Sequence, residues 1–410
     1  MGGGIRVRSA AAACLLAALF LAGTLLSAQD PPPSAEALLR QGNELANAQK
    51  WGEAIEVYRQ ALALRPEYVE AHYQLANAYA AERRGEDAIR QYQEVLRLRP
   101  NFPGAHLNLG TLYESQGMLP QAIAEYRVEV QFFPSSAEAL FSLAHALTLS
   151  RQYEEALRAY RQAVELGPED IRVRMALANA LLQAGNAAGA IEEYRKALAA
   201  EPNNADAHAG LGGALIQAGQ NDEGIRAYQT AATLRPNDPD LHMHLANALR
   251  ASEELIQAIR EYRKAVQLQP ERIEYRFALA LALRQAGDYG GAIRELRRIV
   301  RQQPDHVAAH AELAAAYLSI ADHPAAAARY REALRLRPGD PELHENLGLV
   351  LRKSGDLLGA LRELRKAVEL SPNTADYHRN LAEAYQAAGD VPGFIQEYRE
   401  EVRLKPDDPD

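Results

Sequence analysis

The sequence predicts an all-α solenoid of stacked antiparallel helix pairs, and three observations predict it. Prolines stand at positions 66, 100, 134, 168, 202, 236, 270, 304, 338, 372 and 406, each 34 residues after the last. A leucine followed by a very small residue recurs at a fixed place in that period, and so does an alanine followed four residues later by a tyrosine. An unbroken 34-residue period with such internal signals marks a two-helix repeat rather than a series of unrelated domains.

Ahead of the repeats, residues 1–28 read as a secretory signal. Arg6 and Arg8 precede an apolar run from Ala10 to Leu26, and the small residues Ser27 and Ala28 stand at its exit. Left uncleaved, the run would be an anchor near the lower length limit for a membrane span, and the chain would touch a membrane through this segment alone. AAAC at 11–14 is not a lipidation signal, because the apolar run follows the cysteine instead of preceding it. Residues 29–34 carry three prolines and form a short extended spacer. The expected location is therefore exported, periplasmic or associated with the cell envelope.

With each proline set at position 32, eleven units run 35–68, 69–102, 103–136, 137–170, 171–204, 205–238, 239–272, 273–306, 307–340, 341–374 and 375–408. Helix A comes first in each. Position 7 is leucine in ten units, with Gln41 the exception, and position 8 is Gly or Ala in all eleven. So small a residue lets two helices approach closely. Helix B follows. Position 20 is alanine in nine units and position 24 tyrosine in nine, as in Ala54/Tyr58 and Ala88/Tyr92. Residues four apart share a helix face, so the alanine leaves room that the ring fills. Proline lacks an amide donor and turns its predecessor away from helical geometry, so it ends helix B. Polar residues after it, as in PNDPD from Pro236, are placed to cap the next helix A. Unit six holds Gly210, Gly212, Gly213 and Gly224, each costing a helix about 1 kcal/mol relative to alanine. Local opening is expected there first.

Composition excludes several function classes. The 45 basic and 54 acidic residues give a formal net charge of -9, which offers no general footprint for nucleic acid or an anionic membrane. Arginine at position 25 in nine units falls among acids on helix B and reads as a solvated face, so no nucleic-acid partner is expected. Seven of the eleven histidines (His72, His106, His208, His242, His310, His344 and His378) share position 4, a repeated packing choice rather than converging metal ligands. His306 and His310 are four apart but lack the acid of an HExxH pair. No nucleophile elbow, phosphate loop or dinucleotide fingerprint is present, so neither an enzyme nor a cofactor is expected.

The repeated residues resemble the tetratricopeptide repeat family: small at position 8, alanine at 20, aromatic at 24, alanine at 27 and proline at 32. The resemblance implies a right-handed superhelix whose A helices line a concave groove that binds peptides or protein partners. Departures are histidine at position 4 and tyrosine in place of phenylalanine at 24. Carried onto position 5, the groove row reads Leu39, Tyr73, Leu107, Phe141, Met175, Ala209, Met243 and Phe277, and changes character at Glu345 and Arg379. Position 9 adds Asn77, Asn179 and Asn247, with His145 among them, and Asn108 stands at position 6. Apolar side chains in this arrangement would seat the residues of an extended peptide while amides bond its backbone. Position 12 supplies Arg250, Arg284 and Arg352 as seats for carboxylates. Asn77 and Asn108 match the receptors of chaperone tails, but Tyr73, Glu138 and Ser142 occupy the places where that subtype needs basic residues.

The function these features predict is a non-catalytic exported scaffold or adaptor that binds protein or peptide partners in the groove. The alternative is an accessory subunit of an envelope polysaccharide or glycan export or modification system, binding glycan or an enzyme partner. Self-association through the last unit stays open, since Phe394 and Glu401 break the pattern there.

Overall fold

The computed structural model describes residues 33–405. The expected signal at 1–28, most of the spacer and the last five residues lie outside the described residues. Two compact units divide the chain, Met1–Ala180 and Leu181–Asp410. The described residues are all-helical, with 22 helices in tandem pairs and no strand.

In the first unit the pairs are α1 (Ala35–Asn47) with α2 (Trp51–Leu64), α3 (Val69–Ala81) with α4 (Gly85–Leu98), α5 (Ala105–Ser115) with α6 (Leu119–Phe132), and α7 (Ala137–Leu149) with α8 (Tyr153–Leu166). Helix α9 (Ile171–Gln183) holds the boundary between the units. In the second unit follow α10 (Ala187–Ala200), then α11 (Ala205–Gln217) with α12 (Asn221–Leu234), and α13 (Pro239–Ala251) with α14 (Leu255–Leu268). The array goes on with α15 (Ile273–Gln285) and α16 (Tyr289–Gln302), α17 (Val307–Ser319) and α18 (His323–Leu336), α19 (Pro341–Lys353) and α20 (Leu357–Leu370), α21 (Ala375–Ala387) and α22 (Val391–Leu404). Odd-numbered helices are the A helices and even-numbered ones the B helices.

The turn from A to B is made the same way in every repeat. Position 15 is left-handed throughout: six glycines (Gly117, Gly185, Gly219, Gly287, Gly355, Gly389) and five other residues (Gln49, Arg83, Arg151, Glu253, Ala321) have φ between 58 and 85°. The amide after it bonds back to the carbonyl five residues earlier, as from Lys50 N to Leu45 O at 2.9 Å, which satisfies the end of helix A. A Cβ is strained in this conformation, whereas glycine adopts it without cost. Ala321→Gly is therefore expected to raise stability by about 1 kcal/mol, read as a higher urea midpoint with an unchanged slope.

At the other end, the side chain at position 34 caps the next helix A in several repeats. Ser136, Asn204, Asp238 and Asp340 accept backbone amides through side-chain oxygens, and His306 accepts from Ala309 N through Nδ1 at 3.1 Å. Before unit three position 34 is Phe102, and helix α5 starts later, directly after Gly104. This glycine is left-handed at φ 78° and offers no side chain at the start of α5. There Glu129, 3% exposed in α6, reaches across to accept from Gly104 N at 2.9 Å and Leu107 N at 3.3 Å. The break at position 27 is thus a distant helix cap.

Between repeats, the proline carbonyl is the recurrent link. All seven position-4 histidines donate Nε2–H to the carbonyl of the preceding unit's proline at 2.8–3.0 Å. The other ring nitrogen faces position 23 of the following helix B: Gln91 for His72, Glu125 for His106, Glu261 for His242, Glu363 for His344 and Glu397 for His378, at 2.6–2.8 Å. Arg276 takes the same role, bonded to Pro270 O and Glu295. Position 4 is therefore a three-way tie between helix A, its own helix B and the preceding turn. Unit four uses an apolar version, with Leu140 and Ala159 at the two positions, both buried.

Burial opposes a charge on the His106 ring, but the hydrogen bond and charge of Glu125 prevail and hold its pKa above the ordinary 6.5. A raised folded pKa means that this contribution is full below the unfolded value and fades as pH rises through the folded one. The stability difference between the wild type and His106→Leu should accordingly shrink as pH goes from 6 to 8.5, as read by urea unfolding.

Within each unit the position-24 rings are central to the core. Tyr58, Tyr92, Tyr126, Tyr160, Tyr194 and Tyr262 are at most 2% exposed. Burial pushes the Tyr58 hydroxyl up to about 12. The small residue at position 8 makes space for this ring rather than for a second backbone: a Cβ on Gly110 would stand 2.6 Å from Tyr126 Cε1, and one on Gly348 would stand 2.6 Å from Leu364 Cγ. The glycines of unit six are used in the same way. A Cβ at Gly210 would overlap the Tyr194 ring, and one at Gly224 would lie 2.8 Å from Ile216 Cδ1.

Candidate partner-binding face

Positions 5, 6, 9 and 12 project from helix A on the side where consecutive A helices meet, as α1 meets α3 and α5 meets α7. Side chains at these positions bond between neighbouring repeats, which makes the face a cross-linked surface. In the first unit the Tyr73 ring lies 4.8 Å from Phe102 and edge-on to Tyr92 at 5.8 Å. Its hydroxyl accepts from Asn108 Nδ2 at 3.0 Å, and the same amide reaches Asn77 Oδ1 at 3.3 Å. Asn77 Oδ1 also accepts from the buried Tyr92 hydroxyl. One end of the Asn77 amide is therefore occupied by the fold, and Asn43 and Asn247 repeat this with Tyr58 at 2.8 Å and Tyr262 at 2.6 Å.

One repeat further, Glu114 at position 12 gathers two donors. It accepts from Tyr126 OH at 2.8 Å and from His145 Nδ1 at 2.8 Å. The Glu114 hydrogen bond raises the His145 pKa above its ordinary value, and His145 in turn lowers that of Glu114. The ring lies parallel to Phe141, 6.4 Å away with an interplanar angle of 7°, and the Arg172 guanidinium stands 5.0 Å over the other aromatic ring. Phe141 is half-buried between them, edge-on to Tyr160. Met175 is half-buried and Asn179 exposed on α9.

In the second unit Met243 and Phe277 are half-buried and pack on the core, with Phe277 5.3 Å from His306. Asn247 and Arg250 are exposed on α13, and Arg250 Nε donates to Tyr262 OH at 3.3 Å. Arg284 Nε lies 2.9 Å from Glu312 Oε2 of the next A helix, a pair held by charge without hydrogen-bond alignment. Arg352 pairs with Glu383 of α21. Asn380 donates to Glu345 at 2.7 Å, and burial raises the Glu345 pKa. The expected arginine row thus consists of Arg250 on a tyrosine hydroxyl and two cations neutralised by carboxylates one repeat on. Those carboxylates, Glu312 and Glu383, did not enter the sequence reading, because the pairing joins positions 12 to 6 and 12 to 9 across a unit boundary. The large side chains at position 5 remain as partly exposed apolar surface beside this network.

Models described as tetratricopeptide or TPR repeats match residues 42–82, 73–137, 128–171, 141–205, 181–248, 239–272, 277–341 and 348–389. No curated protein matches the chain. Among solved structures, the C-terminal part of a TPR repeat-containing protein from Cytophaga hutchinsonii is 14% identical over 59% of this chain and 99% of its own, with a TM-score of 0.51. Yeast Tom70 is 18% identical over 90% of this chain and 92% of its own, at 0.39, and MamA is 24% identical over 42% and 93%, at 0.40.

Proposed function

Because the chain belongs to the tetratricopeptide repeat family, whose arrays are protein-interaction scaffolds, we propose that it is a non-catalytic adaptor that grips an extended protein segment along its A-helix face. The observation that carries this reading is the pairing of partly exposed Tyr73, Phe141 and Met175 in one unit, and Met243 and Phe277 in the other, with a polar network already fixed between repeats. A rigid floor costs little entropy on binding, and apolar side chains standing on it offer pockets for alternate residues of an extended segment. Specificity then rests on the groups the network leaves accessible, such as His145 Nε2, and on the exposed Arg172 guanidinium, which is paired with Asp170 at 3.3 Å. The charged signal-like residues and apolar run in 1–28 support an adaptor that works outside the cytoplasm. Among the described residues no helix is long and apolar enough to cross a membrane.

The test uses the mature array and peptides selected on it by display. Phe141→Ser should weaken the selected peptides about tenfold, the loss of one well-seated aromatic contact. Ile256→Ser on helix α14, at an 86% exposed side chain, should leave them unchanged. Equal effects, or an effect of Ile256→Ser alone, would count against the A-helix face.

A further inference from the structure

In unit nine the three-way tie described above is incomplete at His310, one helix turn before Leu313, which lines a cleft. His310 is 4% exposed and bonds Pro304 O through Nε2 at 3.0 Å like its counterparts. Its Nδ1 is buried without a partner. The reason is visible at position 23, where Arg329 stands in place of the glutamate found in units three, seven, ten and eleven. A buried imidazole nitrogen left unpaired is costly, and an acceptor from outside the chain would complete it.

Arg329 lines a cleft of about 500 Å³ between α16 and α18, with α17 at its floor. Val300, Leu313 and Ala328 give it an apolar lining, and Arg297 and Arg301 add two more guanidinium groups. Arg297 Nε donates to Tyr317 OH at 2.6 Å and Arg301 Nε to a backbone carbonyl at 3.2 Å. Among the described residues none of the three arginines has a carboxylate partner. Unit seven shows the same place with the histidine tie complete, beside a cleft of similar volume, about 510 Å³. The corresponding cleft there is lined by His242, Glu261 and Lys264, with Glu261 bonded to His242 Nδ1 at 2.7 Å and to Lys264 at 3.0 Å.

We propose that the cleft between α16 and α18 is a binding site for a carboxylate carried on an apolar stem, which bonds His310 Nδ1 and Arg329 where the other units use their own glutamate. The apolar lining takes the stem, and Arg297 and Arg301 complement the charge at the mouth. The carboxylate could be that of a free aliphatic acid or of a glutamate on a partner. This site is independent of the A-helix face and stands or falls without it.

The test is calorimetric titration of the full mature chain with hexanoate and with a capped hexapeptide carrying one central glutamate, alongside ¹⁵N spectra of the histidine rings. The expected result is saturable binding of at least one probe, with a shift of the His310 Nδ1 resonance. Hexanoate binding alone would identify a free acid as the source, and peptide binding alone a partner side chain. Arg329→Glu supplies the missing carboxylate from within, so it should fold at least as stably as the wild type and bind the probes at least about tenfold more weakly. Arg329→Gln, which removes the cation without filling the place, should weaken binding yet leave the His310 shift detectable at high probe concentration. Failure of both probes to bind, unchanged affinity in Arg329→Glu, or binding that leaves the His310 resonance unmoved would overturn the proposal.

Discussion

Tyr262→Ala is expected to cost about 3–5 kcal/mol, the range for removing a large aromatic side chain from a packed core. The ring is fully buried, and its hydroxyl donates to Asn247 and accepts from Arg250. Tyr262→Phe keeps the ring and deletes the hydroxyl, so its cost should be about 0.5–1.5 kcal/mol. Because each repeat is stabilised mainly by its neighbours, the alanine variant should also lose cooperativity, with α13 to α16 exchanging amide hydrogens earlier than the rest of the second unit. Equal losses in the two variants would mean that the hydroxyl network, and not the position-24 rings, holds the array together.

Glu261→Ala should cost about 3 kcal/mol, since it strands the Nδ1 of a His242 ring that is 3% exposed and leaves Lys264 without its partner. The double variant His242→Leu/Glu261→Ala should recover most of that loss. Unit four already carries this pair as Leu140 and Ala159, at 2% and 5% exposure. A double-mutant cycle read by urea unfolding gives the coupling directly. If the double variant were as unstable as the sum of the single ones, the position-4 and position-23 columns would not be coupled.

Much of the fold was legible because the repeat displays each decision eleven times. The proline column marks where helix B ends, and the alanine and tyrosine columns mark the ring and its space. The left-handed turn was also written in the sequence, as glycine at position 15 in Gly117, Gly185, Gly219, Gly287, Gly355 and Gly389, but five other residues there hid it. Position 4 was readable as a packing choice. Its real content, a tie to the preceding proline and to position 23, emerges only when two columns 19 residues apart are compared, with Leu140/Ala159 set against His242/Glu261. The unit-six glycines carry two opposite effects, a backbone penalty and a close approach to Tyr194 and Ile216, and only coordinates show the second.

The candidate face was less legible, for a physical reason. Helix A side chains at positions 5, 9 and 12 can be listed from the period, yet whether an amide or guanidinium is available depends on the next repeat. Asn77, Arg284 and Arg352 look alike as candidates in sequence, and each is engaged by a neighbour in the structure. The signal segment and export belong to residues outside the described region and rest on composition alone.

Photo-cross-linking side chains placed singly at Met175, Met243, Ile256 and Leu358 test most directly where the partner lies. Met175 and Met243 are half-buried on A helices, whereas Ile256 and Leu358 are 86% and 83% exposed on B helices. With a display-selected peptide bound, cross-links are expected from Met175, Met243 or both, and none from Ile256 and Leu358. Cross-links confined to Ile256 or Leu358 would contradict a partner held on the A-helix face.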